Sequence, residues 1–436
     1  MDKFYKSSLI LIISNLITGV LGFAFSILIS RELGAEGMGL YGLIMPVYDL
    51  FICLICGGMV AAMSKVAAVY YSKRDFINLN RTLDVTICFD LVWGIVVACF
   101  VFINSDFISL HLIKDPRATS ALRVVCPAML FIAVSAILKG YFYGTLNVKV
   151  PALIDIFEKA FRVAALIIII INYTPTVTLA YIILALGESL SLLLLYTVYK
   201  FNKNSDEISS IKEDKIQLLF DVLKFSFPLC INGFLSTIFY SISTLLLPRR
   251  LMTAGLSYAD SLSVIGKFNG MALTTALFPI IIINALCIVL VPDISQKISK
   301  NNYFDLERRI GKVIKIALIL GLATTAICLF IPDYLGNLFF NRNDLGDYIK
   351  FAGMISPLVF LTTTTYGILN GLGRQKIILK NSLFASLVQL VLIYILSGIP
   401  YLNIYGYGIS LIITSIILLI LNICDIRKFC IIKIFD

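Results

Sequence analysis

Apolar runs of about twenty residues recur twelve times along the chain, roughly at 7–30, 38–63, 83–104, 119–141, 151–173, 176–199, 225–247, 268–292, 311–331, 350–369, 379–398 and 405–424. At about 1.5 Å of rise per residue each matches the hydrocarbon thickness of a bilayer, and each is too long for a barrel strand. Backbone groups in lipid have no water to bond, so every run must satisfy itself as a helix. The pattern predicts an all-α integral membrane protein of about 12 transmembrane helices.

The one long polar break, Lys200 to Lys215, divides these helices evenly. The reading is an N-terminal lobe at 1–199 (helices 1–6), a cytoplasmic linker and interfacial helix at 200–224, a C-terminal lobe at 225–424 (helices 7–12) and a cytoplasmic tail at 425–436. Leu219, Phe220, Leu223 and Phe227 fall at helical spacing beside Asp221 and Lys224, which predicts that this segment lies along the membrane surface. The halves echo one another. Arg31, Leu33 and Gly37 match Arg249, Leu251 and Gly255 at a constant offset of 218, and Gly144 and Lys149 match Gly371 and Lys376 at 227. Matches at equivalent connections predict a parallel repeat, two pseudo-symmetric six-helix lobes with the substrate path between them.

Composition narrows the function. With 59% hydrophobic and 14% charged residues and a mean hydropathy of +0.95, the chain is far too apolar for a soluble globular protein. Its net charge of +10 is spread through short connections, which speaks against nucleic acid and for membrane topology. Most of the 36 Lys and Arg residues fall at the N-terminus, in the even-numbered connections and at the C-terminus, so both termini are expected in the cytoplasm. The first run is longer than a signal-peptide core and lacks a small-residue cleavage pattern, so it is expected to stay as the first span. The ten cysteines lie mostly in apolar runs. Cys53 and Cys56 form a C-x-x-C on a helix without a second ligand pair, which reads as packing. A single histidine, His111, in an expected outer loop leaves no His-based metal site or His-activated nucleophile, and no phosphate-binding G-x-x-x-x-G-K-[ST] run occurs. No catalytic residue, metal or cofactor is expected; the chain reads as a transporter rather than an enzyme.

The charges inside the fifth run carry the chemistry. Asp155, Glu158, Lys159 and Arg162 lie within Pro151 to Tyr173, and such groups at membrane depth must face a protein interior or a wet cavity. Glu158 and Arg162 share a helix face. The two-residue link Thr174–Pro175 makes the fifth and sixth spans antiparallel neighbours and brings Glu188 to the depth of Arg162. A buried brace between two helices and a lining for a polar headgroup are both open readings of this set. Asp49 and Asp90 are also intramembrane, either facing a polar cavity or coupling an ion. Arg31, Arg249 and Arg250, at the outer ends of spans 1 and 7, either snorkel to headgroups or hold phosphates by bidentate hydrogen bonds. The candidate substrate path is therefore Arg31, Asp49, Glu158, Arg162, Glu188, Arg249 and Arg250, with Arg31 and Arg249 repeat-equivalent at an outer gate.

Three stretches resemble a known family. Leu21-Gly-Phe followed by Ser30-Arg-Glu-Leu-Gly-Ala-Glu-Gly-Met-Gly-Leu-Tyr-Gly42, then Leu246-Leu-Pro-Arg-Arg-Leu-Met-Thr-Ala-Gly255 with Gly266-x3-Gly-Met-Ala272, and Val291-Pro-Asp-Ile-Ser295 are similar to the stage V sporulation protein B family of polysaccharide-transport proteins. Pro151 to Val163 resembles that family's fifth span. The resemblance implies the two-lobed fold of the multidrug and oligosaccharidyl-lipid/polysaccharide flippase superfamily, which also holds the lipid II flippases. It implies a flippase moving an undecaprenyl-linked oligosaccharide or peptidoglycan precursor across the bacterial cytoplasmic membrane by alternating access. The expected partners are membrane lipid, that lipid-linked glycan and, as an option, a coupling ion, with the chain acting as a monomer; the alternative is a cation-coupled multidrug exporter. Where the family often carries an arginine in the first span this chain has Ser26, which shifts candidate phosphate contacts towards Arg31, Arg249 and Arg250.

Overall fold

A computed structural model describes residues 3–201, 213–299 and 303–435, and every element among them is helical. By length and apolarity nine of these helices can cross a membrane. A tenth crossing is the bent pair Tyr258–Leu277 and Ile280–Ser295, which turns through 53°. Two more follow from physics that a hydropathy window does not see. Leu9–Ser72 counts as one stretch of 64 residues, about 96 Å long if straight and far more than one hydrocarbon thickness. Gly34, at φ 65° and ψ −173°, breaks it; that conformation is open only to a residue without a Cβ. Lys149–Asn172 is helical throughout, but the charges of its first half keep it below an apolarity threshold. The twelve crossings of the hydrophobic pattern are therefore all helical.

The helices are α1 (Lys3–Cys56), α2 (Met59–Ser72), α3 (Phe76–Ile103), the single turn α4 (Ser105–Phe107), α5 (Ala118–Gly144), α6 (Lys149–Asn172), α7 (Val177–Phe201), α8 (Lys215–Thr253), α9 (Tyr258–Ile265), α10 (Thr274–Leu277), α11 (Ile280–Ser299), α12 (Tyr303–Phe330), α13 (Pro332–Phe340), α14 (Gly346–Gly371), α15 (Gln375–Leu396) and α16 (Ile404–Phe435). Wider-pitched turns at Ile108–Ile113 and Gly266–Leu273 complete them. The chain clusters into two units, one of residues 1–21 and 43–241, the other of residues 22–42 and 242–436. The kinked segment around Gly34 thus belongs with the C-terminal half, unlike a cut at a single linker.

In the first unit α5 is the central helix, packed against α2, α3 and α7. Its small residues permit this. A Cβ on Gly140 would lie 2.7 Å from the Val60 carbonyl oxygen, and one on Gly144 2.6 Å from the Ala67 Cβ, so this G-x-x-x-G stripe lets two membrane helices touch along their backbones. The second unit is built in the same way around α14, which packs against α11, α12 and α16.

The segment expected to lie along the membrane surface forms the first turns of the unbroken helix α8, with its apolar stripe covered by protein. The reason is what its apolar stripe meets: Leu218 and Val222, one turn apart, are both fully buried in the first unit's core with Met59, Tyr70 and Tyr199. The rest of the expected linker, 202–212, lies outside the described residues.

Candidate substrate path

The first unit holds an ionic network at membrane depth. Counted from the start of α6, Glu158 is about 13 Å and Arg162 about 20 Å along the axis. Both are buried, at 5% and 8% exposure. The Arg162 guanidinium is shared between two carboxylates, Nε against Glu158 Oε1 and Nη2 against Glu188 Oε1 from α7. Lys159 Nζ stands 3.6 Å from the other oxygen of Glu158. Asp155 does not join this stripe; it pairs with Lys139 of α5, Nζ to Oδ1 2.7 Å. Three cations thus meet three carboxylates, the condition under which charges survive in a low-dielectric interior.

Sequence reasoning missed three members. Lys139, late in α5, looked like a loop charge. Gly187 precedes Glu188 and leaves the space the network fills, since a Cβ there would meet Arg162 Nε and Glu158 Oε1. Tyr48 of α1 is buried at 2% exposure, lies within electrostatic reach of Glu188, Arg162 and Asp49, and its hydroxyl has no hydrogen-bond partner among the described residues. Glycine and tyrosine carry no charge signal, so neither stood out in the chain. Asp49 itself is half-buried beside Tyr48.

Because Arg162 is already held by two carboxylates, it is committed within the protein. The more accessible cation is Lys159, with 35% of its side chain exposed and only a loose partner. A polar ligand passing this face would meet an electroneutral wall with one available ammonium.

The arginines of the second unit have other occupations. Arg31 donates from Nε to the Phe339 carbonyl and from Nη2 to the Leu338 carbonyl, each at 2.5 Å. These are among the last carbonyls of α13, so Arg31 caps that helix and complements its dipole. Arg250 lies over the ring of Tyr394, 4.1 Å from its centroid, and its guanidinium occupies the space that a Cβ on Gly398 would need. Arg249 is half-buried. Arg31 and Arg249 belong to the same unit, and the left-handed glycines of their two turns are Gly34 and Gly255 rather than the repeat-matched pair Gly37 and Gly255. In the connection between α13 and α14, Arg342 donates to both oxygens of Asp344 at 2.8 Å, and Lys267 Nζ approaches Asp344 Oδ2 at 2.8 Å. Hydrogen bonding from Arg342, helped by Lys267, holds the Asp344 carboxyl well below the usual carboxylate range.

Asp90 of α3 is wholly buried, and neither of its oxygens has a hydrogen-bond partner among the described residues. It ends a buried stripe of Asn78, Thr82 and Thr86 at four-residue spacing.

Among the described residues the protein is all-helical, with an ionic network at membrane depth, and comparison with known proteins gives its class. Residues 4–298 match the family model of polysaccharide biosynthesis proteins, and residues 228–395 match the MatE model. The chain belongs to the polysaccharide biosynthesis protein family, within the superfamily of multidrug and oligosaccharidyl-lipid/polysaccharide transporters. It is similar to stage V sporulation protein B of Bacillus subtilis (strain 168), 24% identical over 98% of this chain and 84% of the relative. It is also similar to lipid II flippase MurJ of the same organism, 21% identical over 90% of this chain and 77% of the relative. Among solved structures, an inward-facing multidrug resistance transporter of the MATE family superposes with a TM-score of 0.76 at 17% identity, covering 98% of both chains. A transporter of the same superfamily from Pyrococcus furiosus superposes at 0.68 and 19% identity, covering 99% of this chain and 97% of the other; at these identities the likeness is one of fold. The protein is a multi-pass transporter of the cytoplasmic membrane.

Proposed function

We propose that this transporter is a flippase for an undecaprenyl-linked oligosaccharide or peptidoglycan precursor, acting by alternating access. The observation that carries the reading is the ionic network of Lys139, Asp155, Glu158, Lys159, Arg162 and Glu188 at membrane depth. A polar headgroup crossing the hydrocarbon needs a polar wall that does not trap it. A balanced set of charges, each mostly satisfied by a neighbour, lowers the cost of passage without creating a deep anion sink. Lys159 is the group placed to meet a passing phosphate, while the prenyl chain stays in lipid. The similarity to stage V sporulation protein B and to a lipid II flippase supports the same reading.

The second reading, a cation-coupled exporter of amphipathic drugs, draws on the MatE match and on Asp90, a buried acid without a partner. Depleting the protein and measuring which undecaprenyl-linked intermediate accumulates in the inner leaflet separates the two. A flippase leaves such an intermediate behind, whereas a drug exporter leaves envelope glycans unchanged and loses ion-dependent dye efflux.

A further inference from the structure

Polar side chains of α14 and its neighbours are of two kinds. Thr365 accepts from Asn422 Nδ2 at 3.1 Å, and Asn422 in turn accepts from Asn381 Nδ2 at 3.1 Å, all three being buried. With Asn381 Nδ2 also donating to Asp425 Oδ2 at 3.0 Å, this network braces α14, α15 and α16. One turn either side of Thr365 the chemistry differs. Thr363, Tyr366 and Asn370 form a second stripe on α14, at the spacing of one helix face, and Asn284 faces them from α11 across a cavity of about 280 Å³. Tyr366 and Asn284 are exposed and Asn370 is half-buried. The two helices close the cavity behind Gly367, where a Cβ would lie 2.6 Å from the Cys287 sulfur.

Asn284 and Tyr366 lie within membrane-crossing helices and Asn370 in the last turn of α14; unsatisfied polar groups are costly in hydrocarbon, so a water-filled cleft is the surrounding that suits them. Among the described residues that line it, which include Cys287, Ile288 and Val291, there is no Asp, Glu, Lys or Arg, so these offer nothing for an amphipathic cation to pair with and nothing to hold a phosphate. What it offers is two amides, each with two donors and an acceptor, a phenol that both donates and accepts, and an aromatic face for apolar C–H groups. Neighbouring hydroxyls on a saturated ring are the complement of that set, and the volume equals roughly nine waters at about 30 Å³ each, the scale of one monosaccharide.

We propose that the cavity between α11 and α14, lined by Asn284, Thr363, Tyr366 and Asn370, is a binding subsite for an uncharged sugar ring of the substrate's headgroup. The assignment rests on the flippase reading.

The test uses the full-length protein in lipid nanodiscs and two probes, undecaprenyl pyrophosphate and the same lipid bearing one N-acetylglucosamine. Wild type is expected to bind the sugar-bearing lipid at least tenfold more tightly. Asn284→Ala combined with Asn370→Ala removes that preference while the affinity for the bare lipid stays within about twofold, and Tyr366→Phe, a milder change that keeps the ring, reduces the preference part-way. Thermal melts of each variant confirm folding; should the double variant fail to fold, the two single substitutions carry the same test. Retention of the full preference in folded variants overturns the subsite and leaves the flippase reading standing. Failure of wild type to bind either lipid overturns the flippase reading and the subsite with it.

Discussion

Gly187 and Arg162 share one volume: a Cβ at 187 would stand 2.5 Å from the Arg162 Nε and 2.9 Å from its Cγ. The glycine is therefore the mould of the ionic network, since the arginine reaches Glu188 across α7 only because position 187 carries no side chain. Gly187→Ala should force the guanidinium off both carboxylates, an overpacking cost of about 1–3 kcal/mol, read as a lower melting temperature of the purified protein. Gly187→Ser should behave no better, because the added hydroxyl does not relieve the collision. An unchanged melt for Gly187→Ala would mean that the network tolerates a second geometry.

Removing one partner of this set differs from removing all of it. Arg162→Ala leaves Glu158 and Glu188 buried as like charges, at a cost of about 3–5 kcal/mol, and should abolish both a stable fold and transport. Replacing Glu158, Arg162 and Glu188 together by Gln, Met and Gln should restore much of the stability, since the only charge left without its carboxylate is the partly exposed Lys159. Transport should not recover if the charges line the headgroup's path. Full transport in the folded triple variant would make the network a brace alone.

Arg31 offers a cleaner separation of structure from transport. Its two donors satisfy the Leu338 and Phe339 carbonyls, so Arg31→Ala should destabilise by about 1–2 kcal/mol through the lost cap. Arg31→Lys should recover part of that, a single ammonium replacing a fork. Transport should fall only in proportion to folded protein. A transport defect far larger than the stability loss would return Arg31 to the role of phosphate ligand.

These cases show what the chain reveals about itself. The crossings are legible because a twenty-residue apolar run has one physical solution in lipid, and the Glu158, Arg162 and Glu188 pairing follows from i,i+4 spacing and the short Thr174–Pro175 link. Arg31's role is not legible, because its acceptors are backbone carbonyls that any sequence would supply at the end of α13. Nor is the membership of residues 22–42 in the second unit, which depends on the break at Gly34 and on close contacts such as Gly39 beneath the Leu262 backbone. The surface position expected for the start of α8 followed correctly from its amphipathicity, but that pattern cannot say whether lipid headgroups or a protein core will cover the apolar face; Leu218 and Val222 found the core.

The contact of Asp344 with Arg342 and Lys267 makes an acid-sensitive tether at the connection between α13 and α14. Its carboxyl titrates well below the usual range in the folded protein, chiefly through the Arg342 hydrogen bonds, and near the ordinary value of about 3.9 in the unfolded chain. The unfolded state therefore takes up the proton first as pH falls. The tether's stabilisation is complete above about pH 5 and is lost progressively through and below pH 4 as the folded carboxyl is finally protonated. Asp344→Asn should lower the melting temperature slightly at pH 7, by an amount kept small because the pair is partly exposed to solvent, and its gap to wild type should narrow as pH falls below about 4, without closing at pH 3, where the folded wild-type carboxylate still carries its charge. The measurement is a pair of melting curves for the two proteins across pH 3 to 7: a gap that narrows from about pH 4 downward is the expected result, and a gap constant with pH would show that the Asp344 carboxylate gains nothing from Arg342 and Lys267.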